Sequence, residues 1–187
     1  MIQSYINSFG SAAMAGIGAS TKLEGFVFLP INAFSMAVST FVAQNLGAGR
    51  KDRMRQGIYF GLTIAAVLVL ALGSINFIFS PDLVGLFNSK PEVIYYGTLR
   101  GRICSFFFWL CGFSHVSSAV MRGLGRPTVP TVVMLVCWCA VRVITLMTIG
   151  RVYHNILLVI WLYPITWFLS TVVYLFYLRR LKRQEVF

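Results

Sequence analysis

The sequence predicts an all-α fold, a polytopic bundle of transmembrane helices with about five spans. Three observations carry this. Hydrophobic residues make up 58% of the 187 positions and charged residues only 11%, against about 45–50% and about 25% in soluble domains. The mean hydropathy is +0.78. The apolar residues also fall in runs long enough to cross a bilayer, which takes about 20 helical residues. A water-soluble fold of this size has too little polar surface to cover so much apolar material. Soluble, disordered, collagen-like and disulfide-scaffold classes are therefore excluded. The net charge of +11 is broken into short clusters between apolar runs, so nucleic acid is not the expected partner; the lipid bilayer is.

The elements follow in order. Residues 1–9 read as the last turns of a truncated helix that ends at Gly10, and the uncharged start gives no sign of a cleaved signal peptide. The lobe proper is expected over residues 10–178. Its first span, residues 11–46, is too long for one upright crossing, about 54 Å at 1.5 Å per residue. Pro30 removes a backbone hydrogen bond within it. One long, bent, tilted helix is expected, with two short re-entrant halves as the alternative. Span 56–80 lies in a stretch of 26 uncharged residues, and span 155–178 in one of 27. Span 93–121 carries Arg100 and Arg102 near its start, and span 128–149 contains Arg142. Ala12/Gly16, Ala15/Ala19 and Gly57/Gly61 are small residues four apart, the pattern of helix-packing faces in lipid. Residues 179–187 form a basic tail.

Ten of the sixteen basic residues lie in three places: Arg50–Arg55, Arg122–Arg126 and Arg179–Arg183. With five spans these share one side of the membrane, and the positive-inside rule makes that side cytoplasmic. A multi-pass protein of the cell's inner (plasma) membrane with a cytoplasmic C-terminus is the expectation. Tyr95, Tyr96, Trp161, Tyr163 and Trp167 are either interface anchors or cavity walls.

Chemistry-bearing residues are few. No HExxH, GxSxG, paired carboxylates or GxxxxGK[ST] is present, so neither an enzyme nor nucleotide-driven transport is expected, and no cofactor or metal. Cys104, Cys111, Cys137 and Cys139 sit in apolar runs and read as packing residues. His115 lies one turn after Cys111, either a two-ligand pair or a buried histidine bonded to a neighbouring helix. Charges at membrane depth are the strongest functional candidates. Lys22 and Glu24 are the ion-coupling candidates; Glu24 either exchanges a proton or helps hold Na⁺, or it forms a structural ion pair with Lys22, Arg100 or Arg102. Arg142 either lines a cavity or snorkels outward. Asn32, Ser35 and Gln44 are further cavity-lining candidates along the first span. Phe106–Trp109 covers every side of one turn; Phe108 and Trp109 are its candidates for a cavity taking flat organic cations, with packing as the alternative.

The run Ser39–Arg53, with Gln44, Asn45, Gly47, Gly49 and Arg50 at its cytoplasmic turn, resembles the loop after the eighth helix of multidrug and toxic compound extrusion (MATE) transporters. Ile6–Gly10 with Ala15–Gly16, Lys22–Phe26 with Pro30, and Arg122–Pro127 are similar to further stretches of that family. The resemblance implies the C-terminal lobe of a two-lobe exporter, with the spans as helices eight to twelve. It implies antiport of small organic cations against Na⁺ or H⁺ by alternating access, and a partner N-terminal lobe, in the same longer chain or separate. The rival expectations are a lipid-linked sugar flippase of the same superfamily, favoured by a strongly cationic cavity, and a non-transporting fragment that binds a partner lobe.

Overall fold

A computed structural model describes residues 2–184, with the backbone alone at Arg151; Met1 and residues 185–187, the end of the expected tail, lie outside the described residues. α1 (Ile2–Asn7) stops short of Gly10, whose φ of 93° suits a residue without Cβ. α2 (Ser11–Gly47) then runs unbroken for 37 residues. Its backbone stays helical through Pro30, so the re-entrant alternative is not adopted. α3 (Lys51–Ile78) follows, then α4 (Ser80–Gly85) and α5 (Pro91–Gly123). The next span is composite: α6 (Thr128–Val133), a π-helical stretch (Met134–Ala140) and α7 (Val141–Val152). α8 (Ile156–Arg183) ends the fold. Five helices are long and apolar enough to cross a membrane, and no strand occurs among the described residues.

Two features go beyond the hydropathy reading. The short α4, with Pro81 near its start and Asp82 in its first turn, lies between α3 and α5 at the end opposite the basic clusters; proline suits a first helical turn. α8 continues through Arg179, Arg180, Lys182 and Arg183, so these residues are its last turns rather than a separate tail. Lys and Arg are good helix formers and are favoured at a helix C-terminus by its dipole.

α5 is the centre of the bundle. Its most apolar stretch is 61% buried, against 17% for the composite span, which puts the latter at the rim. α2, α3 and α8 pack along α5. α2 approaches so closely that a Cβ on Gly16 would collide with the Val93 carbonyl oxygen and the Gly97 nitrogen of α5. Gly57 and Gly61 of α3 likewise admit Phe41 and Val38 of α2. Outward, Phe26, Phe60, Phe106, Phe168 and Phe176 are exposed, an apolar coat that only lipid solvates well.

The ends are fixed by contacts. Lys182 Nζ donates to Tyr59 Oη at 3.0 Å, and Gly123 lies against the Ser39 carbonyl oxygen. These bring the three basic clusters to one end of the molecule. At the other end Tyr5 Oη donates to the Tyr153 carbonyl at 2.9 Å, and Ser8 Oγ hydrogen-bonds His154 Nε2 at 2.7 Å.

Candidate functional site

Helix facing decides which intramembrane charges meet. Gly16 and Gly97 set α2 against α5. Two turns further along α2, Glu24 then stands opposite Arg100 of α5. Arg100 Nη2 donates to Glu24 Oε2 at 2.6 Å, and Nη1 donates to Ser20 Oγ at 3.1 Å. Arg100 is 1% exposed and Glu24 16%. The Arg100 Nε is buried without a hydrogen-bond partner.

A second guanidinium completes the cluster. Arg142 of α7 donates from Nε and Nη2 to the single Oγ1 of Thr166 on α8, at 3.1 and 2.8 Å. Thr166 Oγ1 in turn donates to the Tyr163 carbonyl at 2.9 Å. The Tyr163 ring lies 4.7 Å from the Arg100 guanidinium carbon and 4.2 Å from that of Arg142. Trp138 of the π-helical stretch lies 5.5 Å from Arg142. A desolvated guanidinium against an aromatic face gains about 2 kcal/mol, comparable with the roughly 2.5–3.5 kcal/mol that inserting a mid-membrane arginine costs. At 1.5 Å per residue, Arg100 lies about 14 Å, Arg142 and Thr166 about 15 Å and Glu24 about 20 Å along their helices from the ends opposite the basic clusters.

Trp138 also reaches a cavity of about 260 Å³ nearer the basic end, shared with Ser114, His115, Ser118, Arg122 and Thr131. A π-turn widens a helix locally and is frequent at functional sites; here it places Trp138 between the cavity and Arg142.

The candidates read from sequence divide. Glu24 and Arg142 are brought together; Lys22 is not. Two residues from Glu24, it points about 200° away on the helix and is exposed, 5.8 Å above the Phe87 ring. Arg102 is exposed beside Phe77. Asn32 and Gln44 are exposed, and Ser35 is buried with its hydroxyl unpartnered. Phe108 packs in the core against Phe28 and Trp167, while Trp109 lies 48% exposed on the outer face. Among the described residues, neither ring lies over a guanidinium of the charged cluster. At the turn, the Gln44 carbonyl accepts from Ala48 N and the Asn45 carbonyl from Arg50 N, while Asn45 Nδ2 donates to the Phe41 carbonyl. Gly49 supplies a φ of 68° after Gly47 closes α2. These residues build the reversal.

Sequence reasoning missed Ser20, Trp138 and Thr166. A hydroxyl or an indole in an apolar run is indistinguishable from packing until its neighbour is known. Cys111 is buried among Phe28, Ile31 and Trp167. The His115 ring is stacked on Phe28 at 5.5 Å and meets Trp138 edge-on at 5.9 Å. Cys111→Ala is expected to cost about 1 kcal/mol of stability in thermal unfolding, as ordinary loss of packing does. A Cys111→Ala protein as stable as wild type would mean that the side chain adds nothing to the packing among Phe28, Ile31 and Trp167.

Comparison with known proteins gives concordant results. A family model described as MatE matches residues 1–148. "Probable multidrug resistance protein YoeA" of Bacillus subtilis is 28% identical over 189 residues, covering 98% of this chain and 40% of that protein. The "FAD transporter" of Shewanella oneidensis is 31% identical over 94 residues, 50% of this chain and 21% of that protein. The solved structure "MATE transporter ClbM in complex with Rb+" superposes with a TM-score of 0.81 at 22% identity, over 92% of this chain and 40% of the other; it shows the shared fold. The chain thus spans about 40% of the length of the curated relative that it matches end to end.

Proposed function

The chain belongs to the MatE family, and on that premise we propose that it forms one lobe of a secondary active exporter working by alternating access, with Glu24 as the ion-coupling residue. The observation that carries this reading is the Glu24–Arg100 pair between α2 and α5, inside the bundle. A carboxylate in an apolar interior is costly unless paired or used. Protonation of Glu24, or Na⁺ on its open oxygen, weakens the bond to Arg100 and with it the α2–α5 contact. Ion occupancy then biases the equilibrium between two access states, to the extent that the ion prefers one of them. The name of the Bacillus subtilis relative, a probable multidrug resistance protein, supports small xenobiotic cargo. An organic cation of the kind the MATE resemblance implies needs a carboxylate, and Glu24 receives one only after leaving Arg100.

The proposed setting is the cell's inner membrane, with the basic ends of the helices and the C-terminus in the cytoplasm. A second lobe, in the same polypeptide or separate, forms the opposite wall. The chain's share of its relatives' length supports this. The lobe moves its cargo without chemical change, as a transporter and not an enzyme.

The test is flux in sealed vesicles. The protein is purified from its source membranes with whatever lobe accompanies it, and reconstituted. Dye movement that requires an imposed Na⁺ or H⁺ gradient is the expected result. Movement indifferent to both gradients, or none under either, overturns the reading.

A further inference from the structure

Resting on the exporter reading above, we propose that the interior cluster is an oxyanion site: Arg142, with Arg100 beside it, receives the carboxylate or phosphate of an aromatic cargo whose ring lies along Trp138.

The charge count is the first argument. The cluster holds two guanidiniums and one carboxylate, and Arg100 already engages that carboxylate. Among the described residues no carboxylate lies within ion-pairing distance of Arg142. Its polar contact is one neutral hydroxyl, on which two of its N–H groups converge. A hydroxyl accepts hydrogen bonds but cannot balance a charge, and charges at membrane depth are as a rule paired. The Arg142 Nη1 has no protein acceptor among the described residues, and the buried Arg100 Nε has none either. The open edge of the Arg142 guanidinium, with Nη1 free while Nε and Nη2 rest on Thr166, suits a carboxylate or phosphate oxygen.

Access is the second argument. Arg142 is only half-buried whereas Arg100 is closed off, so an entering anion meets Arg142 first. The cavity reached through Trp138 carries Arg122 and His115 in its wall and no carboxylate. On the Trp138 side this wall favours an anion over a cation. The aromatic faces nearest the charges, those of Tyr163 and Trp138, are already covered by the protein's own guanidiniums. The Tyr163 ring offers no free seat for an organic cation, and the Trp138 ring, which meets Arg142, also borders the cavity, where there is room for a flat ring.

The test uses the purified protein in nanodiscs of neutral phosphatidylcholine, with binding read by fluorescence. Riboflavin 5′-phosphate and riboflavin share one ring and differ by one phosphate; ethidium is the planar cation. The phosphate ester is expected to bind about tenfold more tightly than riboflavin, the strength of a charge-assisted contact. Arg142→Gln removes that preference, and Arg142→Lys, which keeps the charge without the fork, restores part of it. Discs containing phosphatidylglycerol separate the sources of the anion. Weakened phosphate-ester binding there, seen in wild type but not in Arg142→Gln, makes a lipid headgroup an occupant of the same site; unchanged binding reserves it for soluble cargo. Equal binding of the two flavins, tighter binding of ethidium, or a preference that survives Arg142→Gln overturns the proposal. The readout is binding, not flux. A protein that prefers the phosphate ester yet moves nothing keeps the site and loses the exporter reading, and ion-driven ethidium flux without phosphate-ester binding does the reverse.

Discussion

Glu24→Gln is expected to destabilise the detergent-solubilised protein by about 3–5 kcal/mol, the cost of stranding one member of a buried ion pair. The charge left behind is Arg100, which is 1% exposed and already carries one unpartnered donor. Once the carboxylate is gone, the new amide oxygen, Ser20 Oγ and the Tyr163 ring are its remaining partners, and none is an anion. Adding Arg100→Gln to Glu24→Gln removes the stranded charge, so most of the stability returns. Thermal unfolding followed by tryptophan fluorescence measures both variants. A single variant as stable as wild type would show that water or lipid already solvates Arg100.

Gly16→Ala carries the second large effect. One methyl group at this position meets backbone atoms of Val93 and Gly97, not a side chain that can swing aside. α2 and α5 must then separate, with an overpacking cost of about 1–3 kcal/mol. The separation also pulls Glu24 from Arg100, which lies on the same interface. Gly18→Ala is the internal control: nothing lies within 4 Å of its Cβ position, and alanine there favours the helix by about 0.5–1 kcal/mol. The expected pattern in thermal unfolding is opposite signs for two identical substitutions two residues apart. Equal effects would mean that α2 and α5 do not touch at Gly16.

These expectations depend on information of different kinds. The five spans were legible because the bilayer demands apolar length, and the described helices coincide with apolar runs. α4 was not legible: six residues beginning Ser80-Pro81-Asp82 carry no period and resemble a turn. The π-helical stretch was not legible either, since Met134–Ala140 has nothing in its composition that distinguishes it from α-helix. Glu24 stood out as a carboxylate in an apolar run, but three cations were available to it. Choosing Arg100 required knowing which face of α2 meets α5, and that depends on where Gly16 and Gly97 touch. The small-residue spacing marked Gly16 as a packing position without naming its partner. Arg142 was visible as a charge; Thr166 comes from another helix and is ordinary in its own segment, and Trp138, four residues before Arg142 on the same span, has a spacing that packing residues share.

The pairing of charge and transport is most directly tested in the Glu24→Gln/Arg100→Gln double variant, in which the buried charge problem is removed and Arg142 is left in place. Cargo flux in reconstituted vesicles is compared with and without an imposed Na⁺ or H⁺ gradient. The expected result is downhill cargo movement that persists but no longer responds to either gradient. Gradient-driven accumulation equal to wild type would contradict the account, leaving Glu24 and Arg100 as a structural pair and placing ion coupling elsewhere.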